Sequence, residues 1–398
     1  MCSETSSNIL PEPPEELKCV SKELSSLIRQ KIGRDGPLPF STYMEMALYE
    51  PGLGYYSAGL QKFGQGGDFV TAPQLGNIFA RCLATQIIQV AEGLGEYEVI
   101  EAGAGTGILA ADLLLALDKQ SPPKRYRILE RSAHLRQVQL EVLTERAPHW
   151  LDRVEWLDTP PEESWQGVLL ANEVLDALTV ERFCITDGGI RQMQVRDDPD
   201  GFAWHEGSCP PSLERSIEGL LSSLEERPGP GFRSELNPDM AAWLDAVSGK
   251  LTRGLALFID YGYTRRDYYA PYRNDGTLVC HYHHRGHSDP FQWPGLTDIS
   301  ASVDLSALAE AANDCWLDVC GYTTQAMFLL SSGLDTIMAG FAELTEAERL
   351  AMNNQVRRLT LPGEMGERFQ VMALGRGLDE QLCDELQGFS AADLRYRL

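Results

Sequence analysis

At 398 residues the chain exceeds one ordinary domain, and either one elaborated α/β domain or two lobes fits that length. Its 34 basic and 58 acidic side chains leave a net charge of −24, a surface that repels phosphate backbones and anionic lipid and argues against a nucleic-acid partner. With 43% hydrophobic residues a normal core is available, and no apolar run reaches the length of a membrane-spanning helix.

Residues 1–16 hold three prolines and four glutamates and read as a loose tail. Glu16 to Ile32 has the spacing of an amphipathic helix. Pro39-Phe40-Ser41 starts another, with Ser41 as N-cap, Met44, Met46, Ala47 and Leu48 behind it, and Pro51 as its end. Residues 52–67, rich in glycine and aromatics, form a loop before a longer helix from Pro73 to Leu94. A β/α alternation follows, with strands at Tyr97–Glu101, Arg125–Glu130, Val154–Leu157, Val168–Ala171 and Leu255–Ile259, and helices at Gly107–Leu117 and Leu135–Arg146. This alternation implies a parallel sheet with right-handed crossovers. Between the fourth and fifth strands lies an interval too long for a simple crossover. It holds strand-like pieces at Glu181–Ile185 and Gln192–Val195, a Gly/Pro-rich stretch at Arg227–Gly231 and a helix near Pro238–Val247, and reads as a substrate-side insertion. A loop-rich segment (Tyr261–Ser302), a helix from Asp304, a strand near Trp316–Tyr322, more helices and a last strand, Phe369–Leu374, complete the chain. The expected divisions are a tail with a helical extension (1–75), the first part of the core (76–179), the insertion (180–250) and the rest of the core with its additions (251–398).

Nine scattered cysteines include no Cys-x-x-Cys, so neither a zinc site nor a disulfide framework is expected, and a reducing compartment follows. The first twenty residues are acidic and lack arginine, unlike a secretory signal or a mitochondrial presequence. Cytoplasm is the expected location.

The most informative segment is Val99 to Leu109, where an apolar strand ends in Glu101 and Gly103, Gly105 and Gly107 follow at alternate positions before a helix. Glycines there let the backbone bend sharply and let a ligand approach it. Ligands of open α/β sheets sit at the carboxyl ends of the strands, and polar residues stand at those ends here. Glu130, at the end of the second strand, is placed to accept hydrogen bonds from ribose hydroxyls. Asp158, after Leu157 on the third, suits an adenine amino group, although it also suits a turn before Pro160-Pro161. The fourth strand runs into Asn172-Glu173-Val174-Leu175-Asp176, whose carboxylates suit a cationic nucleophile or its proton. Asp68 and Thr71, in a glycine-led loop before a helix, are candidates to cover a cofactor or simply to cap that helix. His281, His283, His284 and His287 cluster without acids at metal-ligand spacing, and a polar loop is the better reading.

Glu-x-Gly-x-Gly-x-Gly (101–107) resembles the first motif of class I methyltransferases, which bind S-adenosylmethionine (SAM). It occurs with Gly-Asp-Phe-x-Thr-Ala-Pro (67–73), Asn-Glu-x-x-Asp-Ala-Leu (172–178), Ser-Glu-x-x-Pro (234–238), Asp-Tyr-Gly (260–262), Gly-Thr-Leu (276–278) and Met-Gly-Glu-x-Phe (365–369). Pro-Leu-Pro-Phe-x-x-Tyr-Met-x-x-Ala-Leu-Tyr (37–49) fits as well. Together these resemble the MidA-like SAM-dependent methyltransferases, a family that includes the mitochondrial complex I assembly arginine methyltransferase. Lacking a presequence, the chain reads as a bacterial member.

The resemblance implies a class I SAM-dependent methyltransferase fold: α/β, with a Rossmann-like, mostly parallel seven-stranded sheet, an N-terminal helical extension and an insertion after the fourth strand. It also implies SAM as cofactor and a protein substrate, a respiratory complex subunit by analogy, with arginine guanidinium favoured as acceptor. A small-molecule methyltransferase and a non-catalytic SAM-binding assembly factor are the alternatives. Glu101, Gly103, Gly105, Gly107, Glu130, Asp158, Asn172, Asp68 and Thr71 are the expected cofactor residues, and no metal is expected. Glu173, Asp176 and Glu235 are the candidate catalytic carboxylates, because carboxylates orient a guanidinium well. Thr179 and Ser302 depart from the family's usual proline and histidine, and the oligomeric state is left open, a dimer among the options.

Overall fold

The structure is a computed structural model and describes residues 10–57 and 71–398. Seven strands build the main sheet: β1 (Glu98–Ala102), β2 (Arg125–Leu129), β3 (Val154–Leu157), β4 (Trp165–Asn172), β5 (Leu251–Tyr263), β6 (Asp318–Thr324) and β7 (Phe369–Arg376). Their order is β3-β2-β1-β4-β5-β7-β6, and a short strand, Val303–Asp304, pairs parallel with β5. β7 runs antiparallel to both its neighbours, while the pairs from β3 through β5 are parallel. A β-strand presents alternate side chains to opposite faces, so a strand covered on both sides must be apolar throughout. Val168-Leu169-Leu170-Ala171 of β4 satisfies this: Val168 and Leu170 enter one core with Val99 and Leu114, while Leu169 and Ala171 enter a second with Leu244 and Leu308.

The helices used below are α1 (Glu15–Asp35), α2 (Phe40–Tyr49), α3 (Ile78–Leu94), α4 (Ile108–Leu117) and α5 (Ala133–Arg146). The sequence reading placed the β/α alternation within a few residues at each element. At α2 it needs correction. The helix begins at Phe40 after Pro39, and the Ser41 hydroxyl bonds the Glu181 carboxylate instead of capping the helix. The long helix expected from Pro73 is a 3-10 turn, Ala72–Leu75, followed by α3. The chain breaks at Gly76, whose φ of 140° suits glycine and where a Cβ would strike the Gln355 side chain.

The insertion is more ordered than expected. Strands Glu181–Thr186, Gly189–Asp198, Gly201–Ser208 and Arg233–Leu236 form a second, antiparallel sheet joined at its edge by Leu38–Pro39, and a helix spans Pro211–Ser223. The N-terminal extension and the insertion, far apart in sequence, share one core: Phe40, Tyr43 and Met44 of α2 pack with Val180, Val195, Cys280 and Ile299. The segment after β5 is likewise not all loop, since strands Val279–Tyr282, Arg285–His287 and Asp298–Ser300 form a third small sheet. The expectation of no disulfide is overturned, because Cys320 of β6 is bonded to Cys383 across 63 residues of chain. Such a pair comes from tertiary packing and has no signature in local spacing.

Candidate active site

The carboxyl end of β1 turns sharply. Gly103 donates its N–H to the Leu129 carbonyl at 3.1 Å, which fastens the turn to β2. Gly103, Gly105 and Gly107 have φ of 66°, 52° and 81°, left-handed values that favour glycine. Space demands them too: a Cβ on Gly103 would lie 3.0 Å from Val174 Cγ2, and one on Gly107 3.1 Å from Gln139 Cα. Gly107 then caps α4, its carbonyl accepting from Ala111 N at 3.0 Å.

Glu101 lies beneath this turn, 2% exposed, and accepts the Tyr126 hydroxyl at 2.6 Å. Burial pushes its carboxyl up to about 7, against that hydrogen bond. It is an internal support of the glycine turn. Glu130 ends β2 facing the same turn; its Oε1 accepts Ser132 N at 2.8 Å and its Oε2 accepts Gln139 Nε2 at 3.3 Å. Gln139 also donates to the Gly105 carbonyl at 3.0 Å and accepts Trp156 Nε1 at 2.8 Å. Sequence reasoning missed Gln139, which sits mid-helix in α5 and shows its importance only through these contacts. Asp158, the residue expected at an adenine amino group, has an exposed side chain whose Oδ1 is paired to Arg136 Nη2 at 2.7 Å.

The end of β4 meets a second group of acids. Glu173 takes φ of 55°, a left-handed value uncommon outside glycine, with its N–H bonded to the Ile259 carbonyl at 2.9 Å. Its carboxylate accepts Asn172 Nδ2 at 3.2 Å and the backbone N–H of Ala72. Asp176 is 8% exposed and bonds the Tyr261 hydroxyl. Asp298 lies beside it, accepting Tyr56 Oη at 3.1 Å and Ser300 Oγ at 2.7 Å. Asp260, in β5 three residues before its end, is 2% exposed. Burial first, and then the Asp176 charge, push Glu173 up to about 8; burial and Asp298 raise Asp176. Two buried oxygens in this group, Asn172 Oδ1 and Asp176 Oδ1, have no hydrogen-bond partner among the described residues. Buried polar atoms are normally paired, so these two fit a bound polar group.

The third catalytic candidate is not part of this group. Glu235 is fully buried in the second sheet; Arg182 Nε donates to its Oε1 at 3.0 Å and Thr277 N to its Oε2 at 2.8 Å. Both oxygens are taken, and a substrate cannot reach them, so the assignment of Glu235 to chemistry is corrected to an internal tie. Thr71 forms a capping box with Gln74 at the 3-10 turn, whose first N–H, that of Ala72, bonds Glu173. Asp68 lies outside the described residues. His283 and His284 make a hairpin turn with φ of 48° and 60°. Among the described residues no three His, Cys, Asp or Glu side chains converge as metal ligands.

A seven-strand sheet in this order, with a glycine turn after β1 and an acid after β2, defines a class I methyltransferase and a cleft for SAM. Residues present fit that cofactor: three glycines leave its approach open, and Glu130 and Asn172 border the turn. The chain belongs to the Methyltransf_28 family of S-adenosyl-L-methionine-dependent methyltransferases, whose profile matches residues 82–323, more than half of its length. A crystal structure of a COG1565 superfamily member from Burkholderia thailandensis, bound to S-adenosyl-homocysteine, is similar at 39% identity and a TM-score of 0.90, covering 98% of this chain and all of that one. The protein arginine methyltransferase NDUFAF7 of Danio rerio is 28% identical over 89% of this chain and 87% of its own length, and the Homo sapiens protein 27% over 86% and 81%. SAM is therefore the cofactor. No helix among the described residues is long and apolar enough to cross a membrane.

Proposed function

We propose that this methyltransferase acts on a protein, transferring the methyl group to an arginine guanidinium. One observation carries the reading: Asp176 Oδ1 is buried without a hydrogen-bond partner among the described residues, in a group of crowded carboxylates. An acid in that state gains most from a hydrogen-bonding cation, and a planar guanidinium offers donors in a fork that fits carboxylates. The arginine methyltransferase names of the relatives support it at 27–28% identity, and the net charge of −24 suits a basic protein partner. A respiratory subunit as that partner, and a cytoplasmic location, belong to the same proposal.

Bound SAM supplies a methyl group on a sulfonium, so the protein's contribution is to place and prepare the acceptor nitrogen. Asp176 holds the guanidinium and turns one nitrogen toward the glycine turn. That nitrogen gives up a proton as its bond to carbon forms. Glu173, pushed up to about 8 by burial and by Asp176, is matched to take it near neutral pH. Glu130, Asn172 and the three glycines are assigned to the cofactor.

A cavity of about 410 Å³ behind Leu175, lined also by Leu220, Met240, Ser302 and Tyr269, favours a second reading in which the acceptor is a small molecule. Incubation with methyl-labelled SAM and a cell lysate separates the two. Label in protein, recovered as methylarginine after hydrolysis, is the result expected; label in a small molecule overturns the protein reading.

A further inference from the structure

We infer that Asp260 is the positioning residue of the methyl-transfer site, holding the Asn172–Asp176 loop in place. The inference rests on the acceptor reading above and deepens it.

The geometry is that of a clamp. Asp260 Oδ2 accepts three consecutive backbone N–H groups, from Val174 at 3.1 Å, Leu175 at 2.9 Å and Asp176 at 3.2 Å. Its Oδ1 accepts the N–H of Tyr261 at 2.9 Å. One carboxylate thereby satisfies three consecutive amides of the turn that carries the acceptor acids. It also acts on the cofactor side, because the Val174 it fixes is the residue that packs over Gly103. The left-handed backbone of Glu173 stands at the start of the same turn, with its own N–H tied to Ile259 on the strand that carries Asp260. Such a conformation persists where the surroundings over-determine it, and Asp260 supplies that constraint.

Asp260 is 2% exposed, and both its oxygens accept backbone amides. Burial first, and then the charges of Asp176 and Glu173, push its carboxyl well above the usual range, against those backbone donors. Its place is behind the turn, and it acts through the turn.

The test is the maximal rate of arginine methylation from labelled SAM set against affinity for S-adenosyl-homocysteine, compared between the wild type and D260N. The rate should fall at least about tenfold through loosened geometry, with affinity for S-adenosyl-homocysteine kept within about threefold. A wild-type rate, or a loss of cofactor affinity that accounts for the whole fall, overturns the inference. Should D260N not fold, D260E keeps the carboxylate and displaces the turn. A lowered rate with cofactor affinity kept then supports the clamp, and a wild-type rate overturns it. Failure of the acceptor reading looks different, since the wild type itself would then place no label on arginine.

Discussion

Gln139 donates from Nε2 to the Gly105 carbonyl at 3.0 Å, and so helix α5 holds the glycine turn in shape from outside it. The same side chain reaches Glu130 and receives Trp156, linking the turn after β1, the acid after β2 and strand β3 in one network. Replacing Gln139 by alanine removes one of the two hydrogen bonds that hold Glu130 and leaves Trp156 Nε1 without its acceptor. We predict that Q139A weakens binding of S-adenosyl-homocysteine about tenfold, ~1.4 kcal/mol, by titration calorimetry. Wild-type affinity would show that the network is not what shapes the cleft.

Glu235 and Arg182 predict the opposite kind of defect. The pair is buried, and removing the acid leaves the guanidinium with Asp275 as its remaining charge partner among the described residues. E235A should lose about 3 kcal/mol of folding stability in urea denaturation. Whatever remains folded should still bind S-adenosyl-homocysteine. A stable E235A that has lost only methyl transfer would return Glu235 to the chemistry.

Glu173 makes stability depend on pH in a definite direction. Its folded value of about 8 lies above the ordinary 4.5, so between the two the folded state holds a proton the unfolded state has released. Its contribution is therefore full below about 4.5 and is lost as pH rises toward 8. E173Q carries no such charge. Its melting temperature should exceed that of the wild type above about pH 8 and approach it in acid, read by thermal unfolding across a pH series. Identical pH slopes for the two proteins would contradict the buried environment assigned to Glu173.

The Cys320–Cys383 bond closes a span of 63 residues around β7. Cross-linking a loop of that length restricts the unfolded chain, and its loss costs about 2–4 kcal/mol. C383S should unfold at lower urea concentration than the wild type, and a reductant should shift the wild type but not the variant. If the reductant shifts neither, the two sulfurs are not bonded in solution.

The two halves of the site differed in how far the sequence revealed them. Gly103, Gly105 and Gly107 act within one strand–turn–helix unit, so local spacing was enough to find them. Asp260 and Asp298 join the acid group only through packing of β5 and of the small sheet at 298–300 against the end of β4. The Asp-Tyr-Gly motif is visible in the chain, yet nothing in it tells that Asp260 faces three amides 84 to 86 positions away. Glu235 failed for the converse reason: a carboxylate in a motif looks the same whether open to a ligand or closed on Arg182. The helix Pro211–Ser223 did carry a signal, with Leu213, Ile217 and Leu221 four residues apart and buried, but it lay inside an interval read for strands.

The central claim is that Asp176 holds the acceptor and not the cofactor. The direct measurement compares D176N with the wild type in two assays on the same preparation: affinity for S-adenosyl-homocysteine and the rate of methylarginine formation from labelled SAM. The account predicts affinity within about threefold and a rate lowered at least about a hundredfold, since a transition-state contact is lost while cofactor binding is kept. An undiminished rate, or a loss of cofactor affinity that accounts for the whole defect, would contradict it.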